Sequence, residues 1–144
     1  MLVQQILRSK SATGVVTIRP GTNLGAAVDL LAERRIGAVV VSPDGKRVAG
    51  ILSERDVVRV LSERGPGCLD GTVEDAMTSK IVTCGRHDSS DAVLALMTDG
   101  RFRHLPVLED GEMVGLISIG DVVKAQLSEL SMEKAALEGM IKGF

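Results

Sequence analysis

The sequence predicts an α/β protein of two β-α-β-β-α repeats packed about a pseudo-twofold axis, with a short N-terminal helix and a long C-terminal helix. The first observation is self-similarity, because residues 15–45 align with residues 81–111 at an offset of 66. After a hairpin that is one residue shorter in the second copy, Gly50 pairs with Gly115 and Asp56 with Asp121. A fixed spacing indicates a repeat architecture. Each copy is close to the lower size limit for independent folding, so the copies should share an interface with a cleft between equivalent motifs.

Each repeat is predicted to begin with a β-strand and an amphipathic helix. The strand is a short β-branched run, at Val15–Ile18 in the first copy and at Ile81–Cys84 in the second. Apolar residues at helical spacing then predict a helix that buries one face. They are Leu24, Val28 and Leu31 in the first repeat, and Val93, Leu94 and Met97 in the second. Asp88 or Ser89 is expected to cap the second of these helices.

A β-hairpin is predicted next in each repeat. Two apolar runs flank Asp44-Gly45 in the first copy, and two more flank Asp110-Gly111 in the second. Asp-Gly between apolar runs is a good hairpin signal, because glycine readily adopts positive φ. The second strand of each hairpin leads directly into the next helix.

That junction carries the same motif twice, as "GILSERD" at residues 50–56 and "GLISIGD" at residues 115–121. In the structural interpretation the serine is the N-cap of a helix and the aspartate, three residues later, completes a capping box. This leaves the glycine unexplained, since glycine within a strand often marks close backbone approach. In the functional interpretation both copies hold a polar ligand at a helix N-terminus. The two interpretations are compatible.

The remaining segments set the predicted boundaries. Short helical pieces precede the repeats, "VQQIL" at Val3 and "VEDAM" at Val73. We predict a first repeat with its N-terminal helix at 1–64, a Gly- and Pro-rich linker at 65–72, a second repeat at 73–128 and a helical extension at 129–144. The last helix has apolar residues at a 4-3 spacing, interrupted by Lys134. This stripe covers either the protein's own core or the surface of a dimer or partner.

Composition excludes several classes of function. The net charge is −2, and the chain has two Phe but neither Trp nor Tyr, so a general nucleic-acid partner is not expected. Residues 1–10 contain too many polar side chains for a signal peptide, and no run of about 18 apolar residues predicts a membrane span. We expect a cytoplasmic protein, since its two cysteines form no tight motif, which suits a reducing compartment, although a disulfide between them stays open. Cys84-x-x-His87 has too few further ligands for a metal site, and no catalytic nucleophile with its base is evident.

The duplicated topology, the two motifs and the "RFRHLPV" that precedes the second hairpin resemble a tandem pair of CBS domains, also called a Bateman module. The resemblance covers residues 1–128. It implies a regulatory module without catalysis and without a required cofactor. It also implies an adenosyl ligand in the cleft, such as AMP, ADP, ATP, NAD(H) or S-adenosylmethionine, a homodimer, and in some cases a regulated protein partner. The alternative is a structural module with an empty cleft that acts through dimerisation.

The resemblance also implies which positions bind the ligand. In the family, the motif aspartate accepts hydrogen bonds from ribose hydroxyls, and the motif Thr or Ser contacts ribose or phosphate. The first strand and the start of the second strand of each repeat line the base and phosphate regions, and one site often combines both repeats. The matching positions here are Ser53, Asp56, Ser118 and Asp121, with Thr17, Ile18, Gly37, Ala38, Thr83, Cys84, Arg103 and His104.

The two repeats differ at the expected phosphate end. The second repeat has Arg103 and His104 where the first has Gly37 and Ala38. Since only one side offers cations, we expect two unequal sites whose phosphate ends share the Arg103/His104 edge.

Overall fold

The computed structural model describes residues 1–10 and 14–142 of the chain. It contains the predicted alternation of short strands and helices, with a single turn of 3-10 helix at Val73–Asp75 where the second helical piece was expected. In chain order the elements are α1 (Val3–Ser9), β1 (Thr17–Ile18), α2 (Leu24–Arg34), β2 (Ala38–Val41), β3 (Gly50–Ser53), α3 (Glu54–Arg64), α4 (Ser90–Gly100), β4 (His104–Glu109), β5 (Glu112–Ser118) and α5 (Ile119–Ile141).

The first half contains a three-stranded sheet in the order β1-β2-β3, and the second half contains the two-stranded sheet β4-β5. β1 pairs in parallel with β2, and both hairpin pairs, β2-β3 and β4-β5, are antiparallel. The strand predicted at Ile81–Cys84 does not form: only Cys84 makes a parallel bridge, to Val107. In the first half, the Val40 N–H donates to the Val16 carbonyl. The corresponding residue in the second half is Pro106, which has no N–H to donate, so the pairing shortens to one residue.

The two predicted hairpins differ at their turns. Asp110 and Gly111 have φ of +52° and +79°, as a two-residue type I′ turn between β4 and β5 requires. The hairpin predicted around Asp44-Gly45 is confirmed by the antiparallel pairing of β2 with β3, and Gly45 has φ of +80°. Its connection is longer than a two-residue turn, because β2 ends at Val41 and β3 begins only at Gly50. Ser42 and Asp44 organise this longer loop, with the Ser42 hydroxyl accepting from Gly45 N–H at 2.8 Å and the Asp44 carboxylate from Lys46 N–H at 2.9 Å.

Each half has its own hydrophobic core, and the segment that precedes one half packs in the core of the other. Val3 and Ile6 of α1 are buried with residues of α4, β4, β5 and α5. Val73 and Ala76, which precede the second half, are buried with residues of α2, β2, β3 and α3. This exchange joins the two halves through their cores rather than through a surface contact alone.

The helix α5 leaves the body of the protein after its first two turns. Only Val122 and Ala125 are buried, and from Leu130 to Lys142 every residue is exposed except the partly buried Gly139. The apolar stripe therefore does not cover this chain's own core over its C-terminal half. Residues 143–144 of the predicted extension lie outside the described residues. Within the described part of the chain, no helix combines the length and the hydropathy that a membrane span needs.

Candidate functional site

A cavity of about 260 Å³ lies between the two halves of the molecule. Its wall is formed by the first motif, from Ser53 to Asp56, by the segment that precedes the second half, and by residues 101–104 at the start of β4. Gly37 and Ile51 complete the side that belongs to the first half. We call this cavity the Asp56 cleft. Its volume is near the lower end of the range for small-molecule pockets, about 300–1,000 Å³.

Both motifs form the capping box that the spacing predicts. Ser53 N–H donates to Asp56 Oδ2 at 2.9 Å, and Asp56 N–H donates to Ser53 Oγ at 3.3 Å. The second copy repeats this arrangement, with Ser118 N–H to Asp121 Oδ2 at 2.9 Å and Asp121 N–H to Ser118 Oγ at 3.1 Å. The structural interpretation of the motif is therefore confirmed in both halves. The capping box holds each aspartate carboxylate in a fixed direction beside a helix N-terminus.

The Asp56 carboxylate accepts further hydrogen bonds beyond the one from Ser53 N–H. Its Oδ1 accepts from Arg59 Nη2 at 3.2 Å and from the Thr78 hydroxyl at 3.1 Å, and its Oδ2 also accepts from the Ser53 hydroxyl at 3.0 Å. A carboxylate has about four lone-pair sites, so these donors and Ser53 N–H fill them. A ligand hydroxyl must therefore replace one donor, and the Arg59 side chain, which is 50% exposed, can move into water.

The motif glycines are explained by packing of the exchanged segments. A Cβ on Gly50 would lie 2.7 Å from Met77 Sδ and 2.8 Å from the Thr78 carbonyl oxygen. A Cβ on Gly115 would lie 2.6 Å from Leu7 Cδ2. At each glycine, the absence of a side chain leaves space for the segment that precedes one of the halves to pack against the strand. This is the close approach that glycine within a strand indicates.

The aspartate of the second motif forms an ion pair with a lysine of the same chain. Lys10 Nζ donates to Asp121 Oδ2 at 2.8 Å and to the Leu116 carbonyl oxygen at 2.7 Å. Burial raises the pKa of Asp121, but the hydrogen bonds from Lys10 and from Ser118 N–H outweigh it, so the pKa lies below its usual value. Cavities of about 360 and 220 Å³ lie on the two sides of Lys10, and only the larger one reaches Asp121. We call this region the Asp121 cleft.

His104 lies where the two clefts approach each other. Gly37, the counterpart of Arg103 in the first half, lies beside this imidazole, since a Cβ on Gly37 would be 3.4 Å from His104 Cε1, an ordinary contact distance. Burial lowers the pKa of His104 below 6.5, although the Asp121 carboxylate opposes the shift. His104 is consequently mostly neutral at pH 7. Of the predicted cationic pair, only Arg103 brings a positive charge to the Asp56 cleft.

The structure brings some of the predicted site residues together and separates others. Five of them line the Asp56 cleft: Gly37, Ser53, Asp56, Arg103 and His104. Ala38 and Asp121 line the cavities beside Lys10. Thr17, Ile18, Thr83 and Ser118 line none of these three cavities, and the Cys84 side chain is buried in the core of the second half, where burial raises the pKa of its thiol to about 12.

Sequence reasoning missed two lysines that reach the clefts. Lys10 ends "VQQILRSK" and Lys80 ends "VEDAMTSK", so the segments before the two halves share Val, Ser and Lys at equal spacing. This signal was available, but it falls at an offset of 70 rather than 66. Lys80 lines the Asp56 cleft, as Lys10 lines the Asp121 cleft.

Comparison with protein families gives two matches to the CBS domain model, at residues 5–63 and 73–128. The CBS domain-containing protein CBSX3, mitochondrial, of Arabidopsis thaliana is 37% identical over 121 residues. That alignment covers 81% of this chain and 59% of the relative, so the chain spans about three fifths of its length.

Several solved structures have the same fold. The CBS-domain containing protein ATU1752 from Agrobacterium tumefaciens has a TM-score of 0.83 and 42% identity, over 88% of this chain and 99% of that one. The CBS domain protein PAE2072 from Pyrobaculum aerophilum, complexed with AMP, has a TM-score of 0.77 and 26% identity, over 92% and 99%. The CBS domain pair of protein MJ0100, in complex with 5-methylthioadenosine and S-adenosyl-L-methionine, shares the fold at a TM-score of 0.77 and 19% identity, over 90% and 98%.

Proposed function

Since the chain belongs to the CBS domain family, with one domain in each half, we propose that it is a regulatory module that binds an adenosyl ligand and catalyses no reaction. The observation that carries the proposal is the Asp56 cleft, where a fixed carboxylate, apolar side chains and cations converge from both halves. The bound AMP of the Pyrobaculum relative supports the ligand class.

Asp56 is the group proposed to bind the ribose. Its carboxylate is held by Ser53, and its Oδ1 points to donors that a ribose hydroxyl would replace, Thr78 and Arg59. A hydrogen bond to a charged group contributes about 1.5–3 kcal/mol, but displacement of existing donors reduces the net gain. The ribose is therefore expected to orient the ligand more than to supply most of its affinity.

The adenine ring is proposed to lie among apolar side chains of the same cleft. Ile51, Ile81, Val82 and Phe102 line it, in a chain that has no Trp or Tyr for stacking. Burial of apolar surface contributes about 25 cal/mol per Å² and does not depend on direction. Hydrogen bonds from the backbone would then have to distinguish adenine from other bases.

Isothermal titration calorimetry with AMP, ADP, ATP, NADH and S-adenosylmethionine tests the proposal. We expect at least one of them to bind the wild type, and Asp56→Asn to weaken that ligand by about tenfold, which is about 1.4 kcal/mol. Asp121→Asn is the matched control, because it changes the equivalent carboxylate in the cleft that Lys10 occupies. Absence of heat and of thermal shift with all five ligands would contradict the proposal, as would an equal loss of affinity in both variants.

Ligand binding is proposed to act on a partner by fixing the relative orientation of the two halves. The cleft is lined by residues of both, so a bound ligand stabilises one arrangement by its difference in affinity. Turnover of ATP by the purified protein, abolished by a single substitution in the cleft, would contradict a purely regulatory role.

We also propose that the chain forms a homodimer through α5. Leu127, Leu130 and Leu137 are each about 60% exposed, and Ile141 is 85% exposed, on one face of this helix. A second copy of the same helix would cover this face at coiled-coil spacing. Light scattering should show a dimer for the wild type and a monomer for Leu130→Glu/Leu137→Glu. A monomeric wild type would contradict the dimer.

The alternative function, an interaction module with an empty cleft, is favoured by the same exposed face of α5. In that case dimerisation would persist, while none of the five adenosyl ligands would bind or raise the melting temperature. Calorimetry and light scattering on the same preparation therefore distinguish the two functions.

A further inference from the structure

The cleft of the first half is one cavity, whereas the cleft of the second half is divided in two. In the first half, Asp56 lines the same cavity as the apolar Val82. Their counterparts in the repeat are Asp121 and Val16. Asp121 lines the cavity of about 360 Å³, and Val16 lines the cavity of about 220 Å³. Lys10 lies on the wall of both, so its side chain separates the carboxylate from the apolar part of the Asp121 cleft.

The Lys10 ammonium satisfies the two acceptors whose counterparts bind Thr78 in the first half. Thr78 N–H donates to the Ile51 carbonyl oxygen at 2.8 Å, and the Thr78 hydroxyl donates to the first motif aspartate at 3.1 Å. The counterpart of Ile51 is Leu116, whose carbonyl oxygen accepts from Lys10 Nζ at 2.7 Å. The same ammonium donates to the second motif aspartate at 2.8 Å. One long, charged side chain therefore supplies in the second half what an N–H and a hydroxyl supply in the first.

This difference originates in the segments that precede the two halves. By the spacing that aligns Lys10 with Lys80, the counterpart of Thr78 is Arg8. Arg8 lies within α1, whereas the segment before the second half is helical only at Val73–Asp75. A residue within a helix donates its N–H to the carbonyl four residues earlier, so the Arg8 N–H cannot pair with β5. The donor to β5 comes instead from the side chain that follows the helix.

The first motif aspartate also has a cationic partner, but this partner is placed differently. Arg59 belongs to the same helix as Asp56, its side chain is 50% exposed, and it lies outside the wall of the Asp56 cleft. The Lys10 side chain is 31% exposed and lies inside the Asp121 cleft. A ligand that spans the first cleft therefore lies beside Arg59, whereas a ligand that spans the second must displace Lys10.

Building on the proposed adenosyl function, we propose that Lys10 is an internal competitor for the Asp121 cleft. One chain then binds one adenosyl ligand in the Asp56 cleft, and a second ligand binds only when it displaces Lys10. Loss of a hydrogen bond to a charged group corresponds to roughly a ten- to hundredfold change in a binding constant. The displaced ammonium regains water at the end of its flexible stem, which offsets part of this loss. The second site should consequently be at least about tenfold weaker than it would be without Lys10.

Isothermal titration calorimetry with AMP, ADP, ATP, NADH and S-adenosylmethionine measures the number of sites per chain and their affinities. We expect the wild type to show one site, and any second site to be at least about tenfold weaker. Lys10→Ala should strengthen the second site by about tenfold or more and leave the first unchanged. Lys10→Arg keeps a charged donor and should resemble the wild type.

Two further variants show where the effect arises. Lys124→Ala is the matched control, because Lys124 lines the same cavity as Lys10 but, among the residues that the structure describes, forms no ion pair with Asp121. It should leave the second site as weak as in the wild type. Lys10→Ala/Asp121→Asn should weaken the second site again, because the released carboxylate is the group that binds the second ligand. The wild-type titration needs no substitution, so it tests the competitor even where Lys10→Ala is too unstable to titrate.

The outcomes separate this inference from the proposed function. Two equal sites in the wild type, or an unchanged second site in Lys10→Ala, would overturn the competitor and leave the adenosyl function standing. If the wild type binds none of the five compounds while Lys10→Ala binds one through Asp121, the competitor stands and the function proposed for the Asp56 cleft is wrong. Absence of binding in every variant would overturn both. An equal gain in Lys124→Ala would also overturn the competitor, because loss of any positive charge would then suffice.

Discussion

Substitution of the two motif glycines tests whether they serve packing or ligand binding. Gly50→Ala places a Cβ 2.7 Å from Met77 Sδ and 2.8 Å from the Thr78 carbonyl oxygen. Both distances are roughly 1 Å shorter than ordinary contacts of about 3.5–4.0 Å. The methionine side chain can rotate away, but the Thr78 carbonyl is fixed, because it accepts from Ile51 N–H at 3.0 Å. Relief of this clash must break or lengthen that hydrogen bond.

The expected loss of unfolding free energy for Gly50→Ala is about 1–3 kcal/mol, the range for overpacking in a filled core. Gly115→Ala is the matched comparison, because its Cβ meets only the end of the Leu7 side chain, at 2.6 Å from Cδ2. A side chain can shift at lower cost than backbone, so we expect Gly115→Ala to lose no more than about 1 kcal/mol. Gly139→Ala, with no atom within 4 Å of its Cβ, should be neutral or slightly stabilising.

Urea unfolding followed by circular dichroism measures these differences, since the chain has no Trp or Tyr for intrinsic fluorescence. A loss of 1 kcal/mol should lower the melting temperature by roughly 4 °C in a chain of this size. Equal stability of wild type and Gly50→Ala would refute the packing argument. Loss of ligand affinity in Gly50→Ala without loss of stability would show that the glycine serves the ligand.

Two further substitutions probe groups with shifted pKa values. Lys10→Met should lower the unfolding free energy at pH 7 by about 1 kcal/mol, because Asp121 loses its ion pair. The lowered pKa of Asp121 adds stability above its unfolded value of 3.8, and this stability is lost as the pH falls through the folded pKa. Urea titrations at pH 7 and pH 3 should therefore show a smaller acid loss in Lys10→Met, and an unchanged acid loss would contradict the assignment. For His104 the folded pKa lies below 6.5, so stability should rise with pH between the folded value and 6.5. His104→Asn should flatten this rise between pH 5 and pH 7, while the exposed His87→Asn should not; identical profiles in both variants would contradict burial as the cause.

Several local features could be predicted from the sequence because neighbouring residues determine them. Ser53 and Ser118 cap their helices as the spacing to the aspartates requires. Asp110-Gly111 forms the two-residue turn, and the Ser89 side chain caps α4. A strand was predicted less successfully where its formation depended on hydrogen bonds from another strand. The Ile81–Cys84 strand depended on whether residue 106, far along the chain, could donate a hydrogen bond.

The site could be predicted only in part, for the same reason. The motif identified Asp56 and Asp121 as equivalent positions, but the two carboxylates have different neighbours in the structure. In the first motif, the Thr78 backbone pairs with Ile51 and the Thr78 hydroxyl donates to Asp56. In the second motif, the Lys10 ammonium donates to the Leu116 carbonyl oxygen and to Asp121. Asp56 is paired with Arg59 of its own helix and lines the Asp56 cleft, whereas Asp121 is paired with Lys10 from the segment that precedes the first half.

The sequence by itself determined the duplicated topology, the capped motifs and the family, because each depends on local spacing that recurs along the chain. Only the tertiary structure decided that the segments before the two halves exchange cores, and that glycine is required where they cross the motifs. It also decided which of two equivalent lysines lines the Asp56 cleft and which is bonded to a motif aspartate. These features arise from contacts between residues far apart in sequence, where the geometry of packing, not the residue type, determines each side chain's partner.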